Sequence, residues 1–287
     1  MSKLTEAVKS AVRATLPLAA RKPLAAWMAG QTWMPRHKWW ATELLTDWAS
    51  INPNAYHRFL WSHHLGYAES YEIDQRFGEE NIHPSRRMLF DDLLAFFQEH
   101  GKDPARDISS VFEVGASMGY LLHYLEQHVF TSAERLHGID IDEYAVAEGR
   151  RHLDASGSRV TLAVGDMGDM EGALAGQTYD LILCAGVLMY LKQEDALTVV
   201  DTMLRHTRGF LILAGLAQPG VDNRELEHST VREMDGSFVH NLDEMVKAAG
   251  GTVLYRRWEG DLDVDGNTIY FLFCASQHQH AEKAGAA

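Results

Sequence analysis

The feature that most constrains how this chain folds is a change of rhythm at Val111-Phe112-Glu113-Val114-Gly115-Ala116-Ser117-Met118-Gly119-Tyr120. An apolar run of strand character leads into a turn carrying two glycines, and a helical pattern starts near Tyr120. A second apolar run, Leu136-His137-Gly138-Ile139-Asp140, ends on an acid 25 residues after Gly115. Glycine lets a backbone approach a ligand closely, and an acid at the end of the second strand accepts hydrogen bonds from ribose hydroxyls. The spacing predicts a strand–turn–helix–strand unit built to hold a nucleoside.

The composition of the turn narrows the ligand. A dinucleotide site reads G-x-G-x-x-G and rests pyrophosphate on a helix N-terminus. Here the run is Glu113-x-Gly115-x-Ser117-x-Gly119, with an acid two residues before the first glycine. A carboxylate there repels pyrophosphate and suits a cationic group such as the amine of a methionyl moiety. The loop therefore reads as a site for S-adenosylmethionine, although an ordinary strand-to-helix turn can carry the same residues.

The segments that follow extend the pattern. Residues 159–167 form a third strand candidate ending in Gly165-Asp166, and 179–190 a fourth, apolar enough for burial on both faces. Strands are also expected at 209–215, 252–258 and 267–275, with helices at 142–153, 193–206 and 242–249. Strands alternating with helices imply a parallel sheet with right-handed crossovers. The Gly260–Asn267 connection suits a hairpin, making the last strand antiparallel.

With these residues in place, the chain resembles the class I S-adenosylmethionine-dependent methyltransferases over roughly residues 108–276. The resemblance implies an α/β fold, a Rossmann-like, seven-stranded, mostly parallel sheet flanked by helices, with an N-terminal helical extension. It implies three regions: a helical extension at 1–105 that covers substrate or mediates oligomer contacts, a cofactor domain at 106–276 and a tail at 277–287. It further implies that Glu113, Gly115, Ser117 and Gly119 form the cofactor loop, Asp140 takes the ribose, and Ile141 lies on the adenine. Asp166 would receive the adenine amino group and Met167 N–H a ring nitrogen, while Gly186 to Tyr190 line the methionyl end. Ser117 departs from the family's usual middle glycine, which leaves the loop shape open.

The 287 residues are 46% apolar and 23% charged, enough for a sizeable core. No apolar run is long enough for a transmembrane segment and no secretory signal is evident, so a cytoplasmic protein is expected. Cys184 and Cys274 both fall in strand candidates and read as small buried hydrophobes. The net charge of −14 argues against a nucleic-acid partner. The charge is uneven: Lys3, Lys9, Arg13, Arg21, Lys22, Arg36 and Lys38 face Glu6 alone in the first 38 residues, a net +6 against −20 elsewhere. Such a start suits a self-docking helix, a homo-oligomer contact, a membrane surface or a targeting segment. Residues 41–50, 55–71 and 84–100 read as helices, and Trp27, Trp33, Trp39, Trp40, Trp48 and Trp61 concentrate in this region.

Methyl transfer from a sulfonium is an in-line displacement that needs positioning and desolvation, and a base only for a protonated nucleophile. The fifteen histidines show no zinc-ligand spacing, and no metal is expected. Candidate catalytic residues are Tyr190 after the fourth strand, His240 after a polar stretch at 218–236 that could serve as a lid, and His83. Tyr67, Tyr71, Arg86 and Arg87 are candidate substrate contacts, the arginines as a clamp for a carboxylate. Each also fits a plain structural role: packing for Tyr190, a helix cap for His240, surface ion pairs for the arginines. The expected activity is methylation of an O, N or S nucleophile on a small molecule, yielding S-adenosylhomocysteine. A non-catalytic S-adenosylmethionine-binding regulator and a related transferase such as an aminopropyltransferase are the alternatives.

Overall fold

The structure is a computed structural model that describes residues 11–31, 33, 37–66, 77–264 and 266–276. Tyr67 and Tyr71, and the 277–287 tail, lie outside the described residues. The chain divides into two compact units, residues 1–72 with 232–237, and residues 73–231 with 238–287.

The larger unit is built on a seven-stranded sheet: β1 (Ser110–Val114), β2 (Arg135–Asp140), β3 (Val160–Val164), β4 (Tyr179–Ala185), β5 (Thr207–Ala214), β8 (Gly251–Val264) and β9 (Asn267–Ser276). Its order is β3-β2-β1-β4-β5-β9-β8. Pairings among β1 to β5 are parallel, whereas β9 runs antiparallel to both β5 and β8. This is the Rossmann-like sheet expected from the residue pattern. Two strands depart from their expected ends. The fourth stops at Ala185, because Gly186 turns to positive φ and Leu188–Tyr190 form a 3-10 turn. β8 continues to Val264, so most of the expected hairpin connection is strand. A small antiparallel pair, β6 (Thr230–Val231) and β7 (Phe238–Val239), stands apart from the main sheet.

β1 is buried at all five positions, as a strand covered on both faces must be. One face packs beneath a helix at Pro84–Glu99, together with helices at Tyr120–His128 and Glu143–Ser156. The other is covered by helices at Gln193–His206 and Leu242–Ala248. The Pro84–Glu99 helix buries Leu89, Phe90, Leu93, Phe96 and Phe97, the i, i+1, i+4, i+7, i+8 stripe of an amphipathic helix. Phe96 meets Phe210 and Phe273 at centroid distances of 5.6 and 5.5 Å, and Phe97 meets Phe210 at 5.3 Å. This aromatic seam makes residues 84–99 part of the sheet's core. The structural division accordingly falls at residue 72, not near 105.

The smaller unit contains α1 (Leu18–Ala29), α2 (His37–Glu43), α3 (Thr46–Ile51) and α4 (Pro53–Ser62). Their core gathers Ala25, Ala41, Leu45, Trp48, Tyr56, Leu60 and Leu65. Arg21 is buried here, bonded to both oxygens of Asp47 at 2.6 and 2.9 Å and to the Leu44 carbonyl at 2.6 Å.

Candidate active site

Strand order in the sheet reverses between β1 and β4. Doubly wound sheets bind ligands at the carboxyl ends of strands beside such a switch point. The loop leaving β1 there is held in an unusual conformation, with Gly115, Ser117 and Gly119 at φ +74°, +53° and +79°. A Cβ on Gly115 would lie 2.4 Å from Val187 Cγ2, so glycine is required by both angle and space. Ser117 adopts the left-handed region without being glycine, a cost of about 1–2 kcal/mol. Its N–H donates to Asp140 Oδ2 at 2.7 Å, a charge-assisted bond that offsets this strain.

Three further N–H groups of the turn are bonded within the protein. Gly115 and Ala116 N–H both donate to the Ile139 carbonyl at 2.9 Å, and Gly119 N–H donates to the Ala116 carbonyl at 2.7 Å. A phosphate cradle needs such donors to point at the ligand. Here they point into the protein.

Asp140 is the clasp of the loop as well as the acid expected at the ribose. Its Oδ1 accepts from Asp142 N–H at 2.8 Å, and Asp142 caps the following helix through Ala145 N–H. Burial raises the Asp140 carboxyl against the pull of those backbone bonds. Ile141 is half-buried beside it. Asp166 follows β3, accepts from Gly168 N–H at 2.8 Å and caps the Met167–Asp169 turn.

Glu113 is the most unusual group of the site. It is 2% exposed in the middle of the sheet, and its Oε2 has no hydrogen-bond partner among the described residues. Burial pushes its carboxyl up to about 8; Arg86 works against that shift and Asp140 adds to it. Arg86 reaches in from the Pro84–Glu99 helix and donates to the Ala185 carbonyl at 3.1 Å, with Nη2 2.7 Å from where a Gly186 Cβ would stand. A buried carboxyl with an unmatched oxygen, a guanidinium and the end of β4 thus converge. The set fits the ammonium and carboxylate of a methionyl group.

The two arginines expected as a clamp are separated. Arg87 donates to the Ile82 and Glu79 carbonyls and braces the turn before its own helix. His83 caps that helix, its Nδ1 accepting from Ser85 N–H at 3.2 Å and lying 2.8 Å from Ser85 Oγ. His240 is 4% exposed, with both ring nitrogens engaged: Nδ1 is 2.7 Å from Ser229 Oγ and Nε2 is 3.0 Å from the Leu188 carbonyl. A carbonyl accepts only, so Nε2 carries the hydrogen and Nδ1 accepts from Ser229. Burial lowers its pKa and keeps the ring neutral. In this geometry the candidate base His240 braces the Leu188–Tyr190 turn. Tyr190 is half-buried in that turn.

One participant escaped the sequence reading. Asn223, fully buried, donates to the Leu216 and His240 carbonyls and accepts from Gln218 N–H and Trp258 Nε1. It anchors the stretch expected as a lid. A lone Asn in a polar run carries no periodic or motif signal that would reveal this.

Comparison with known proteins agrees with the geometry. A family described as "Methyltransferase domain" matches residues 111–209, which span β1 through the start of β5. No curated protein matches the sequence. Among solved structures, magnesium protoporphyrin IX methyltransferase from Synechocystis PCC 6803 with bound SAM is similar with a TM-score of 0.52 at 17% identity. The match covers 79% of this chain and 98% of that one. The same enzyme with bound SAH gives 0.51 at 17%, covering 74% and 97%. At that identity the likeness speaks for the fold alone. Within the sheet unit, residues 111–209 are thus similar to the methyltransferase-domain family, on a fold shared with a methyltransferase solved with SAM and with SAH.

Proposed function

We propose that this enzyme transfers a methyl group from S-adenosylmethionine to an O, N or S nucleophile of a small molecule. The observation that carries the reading is Glu113: a strand-borne carboxyl, 2% exposed, with an unmatched oxygen beside a loop in which the N–H groups of Gly115, Ala116, Ser117 and Gly119 are bonded within the protein. A buried acid of this kind is costly unless a cation completes it. A sulfonium cofactor bearing an ammonium supplies that cation, whereas a dinucleotide brings the wrong charge.

In this reading Glu113 takes the ammonium and Arg86 the carboxylate of the methionyl group. Asp140 accepts from the ribose hydroxyls while keeping its grip on Ser117 and Asp142. Asp166, Met167 and Ile141 contact the adenine, and Gly115, Ser117, Gly119 and Gly186 allow the backbone close to the ligand. When bound, the cofactor supplies a methyl whose bond to sulfur breaks as the bond to the nucleophile forms. The residues contribute position and exclusion of water. Tyr190 is the proposed acid–base group, because His240 is committed to Leu188 and Ser229, and His83 serves its helix. A small acceptor is favoured by the net charge of −14, which opposes a polyanion.

S-adenosylhomocysteine release against a panel of small phenols, carboxylic acids, amines and thiols tests the reading. Turnover with one class names the nucleophile. Tight cofactor binding without turnover on any small molecule removes the small-acceptor proposal, and an absence of cofactor binding removes the assignment of Glu113.

A further inference from the structure

The smaller unit contains a helix that faces the wrong way for a water-soluble surface. In α1 the buried positions are Arg21 and Ala25, and Arg21 is neutralised by Asp47. The exposed positions are Ala19, Ala20, Pro23 and Trp27, with Gly30 just beyond the helix. At 3.6 residues per turn these five fall within about 100° of arc, and the arc contains no charge. Trp27 is 57% exposed and Trp33 is 74% exposed. Gln31 ties the two together, its Nε2 donating to the Trp27 carbonyl and its Oε1 accepting from Trp33 Nε1, each at 3.0 Å.

Exposed large apolar groups on one contiguous face mark a contact surface. The charge pattern selects the partner. The face lies in the segment of seven cations and one acid, net +6, on a chain that is otherwise −20. A symmetric contact between two copies would bring two net-positive segments together. An anionic lipid surface offers the opposite charge together with an apolar layer at the depth where indole rings reside. No helix among the described residues is long and apolar enough to cross a membrane, so the contact would be peripheral.

We infer that the α1 face, with Trp27 and Trp33, docks the protein on an anionic phospholipid surface. The inference is independent of the acceptor and of the methyl-transfer chemistry. Sedimentation with vesicles of pure phosphatidylcholine, and of phosphatidylcholine with about one-third phosphatidylglycerol, tests it. The protein should sediment with the anionic vesicles, be released by salt and ignore the neutral ones. The double variant Trp27→Ala/Trp33→Ala should bind roughly tenfold more weakly, since two interfacial indoles are lost. Both side chains are exposed, so the variant should retain the parent's circular dichroism and cofactor affinity. No binding to anionic vesicles overturns the inference, and so does undiminished binding by the folded double variant. A dimer in light scattering that the double variant dissolves, without vesicle binding, would assign the face to a second copy instead.

Discussion

At the scale of single residues, the site is organised around two conflicts with ordinary folding preferences. Glu113 titrates near 8 in the folded chain against 4.5 for a free carboxyl. The unfolded chain therefore releases this proton first, and the contribution of Glu113 to stability declines as pH rises from about 4.5 to about 8. Glu113→Gln should raise the melting temperature at pH 8 and leave it little changed at pH 4, measured by calorimetry. The same substitution should weaken S-adenosylmethionine binding. Wild-type affinity should tighten between pH 6 and 8, by at most roughly tenfold per unit, as the ammonium displaces the Glu113 proton. A flat titration of affinity would contradict the assignment. Gly115 is the second conflict: Gly115→Ala adds a methyl 2.4 Å from Val187 Cγ2 at φ +74°. It should cost about 2–3 kcal/mol in denaturant unfolding and abolish cofactor binding.

At the scale of elements, the carboxyl end of β4 is held from two sides. Arg86 holds the Ala185 carbonyl from the Pro84–Glu99 helix, and His240 holds the Leu188 carbonyl from the residue after β7. His240→Ala leaves that carbonyl and Ser229 without a partner, a loss of about 1–3 kcal/mol. Turnover should fall through displacement of Tyr190, yet the pH–rate profile should keep its shape. A catalytic base would instead take one limb of the profile with it. Because burial lowers the His240 pKa, the unfolded chain is protonated first, and this contribution to stability fades as pH falls below 6.5. A closer packing constraint lies at Gly149, where a Cβ would come within 2.3 Å of the Met118 carbonyl oxygen. That contact presses the Glu143–Ser156 helix directly onto the glycine loop after β1.

At the scale of the molecule, the two units carry different reporters. Six of the seven tryptophans belong to residues 1–72, while both cysteines are fully buried in β4 and β9 of the sheet unit. Burial raises both thiols, Cys184 to about 12, so neither should react in the native protein. Among the described residues, the core of the small unit gathers seven buried apolar side chains, whereas the sheet unit has two extensive cores. Tryptophan fluorescence should therefore change at lower urea than thiol reactivity. Coincident transitions would mean that the units unfold together.

Residues 108–276 disclosed their architecture in advance because the information was local. Apolar runs of strand length, glycines in the first turn and an acid ending the second strand occupy adjacent stretches of chain, and backbone sterics act over that range. The succession of strands and helices, the mostly parallel sheet and the antiparallel final strand were legible for this reason. What the pattern could not express is which polar groups become each other's partners. Arg86 and Arg87 are neighbours in sequence, yet helical geometry sends one to the end of β4 and the other to its own preceding turn. His240 and Leu188 are 52 residues apart, and only their packing together turns a candidate base into a strut. The inverted face of α1 depends likewise on Asp47 meeting Arg21 from another helix. Side-chain type and spacing determine the elements; satisfaction of buried polar groups is a property of the assembled fold, and that decided the roles.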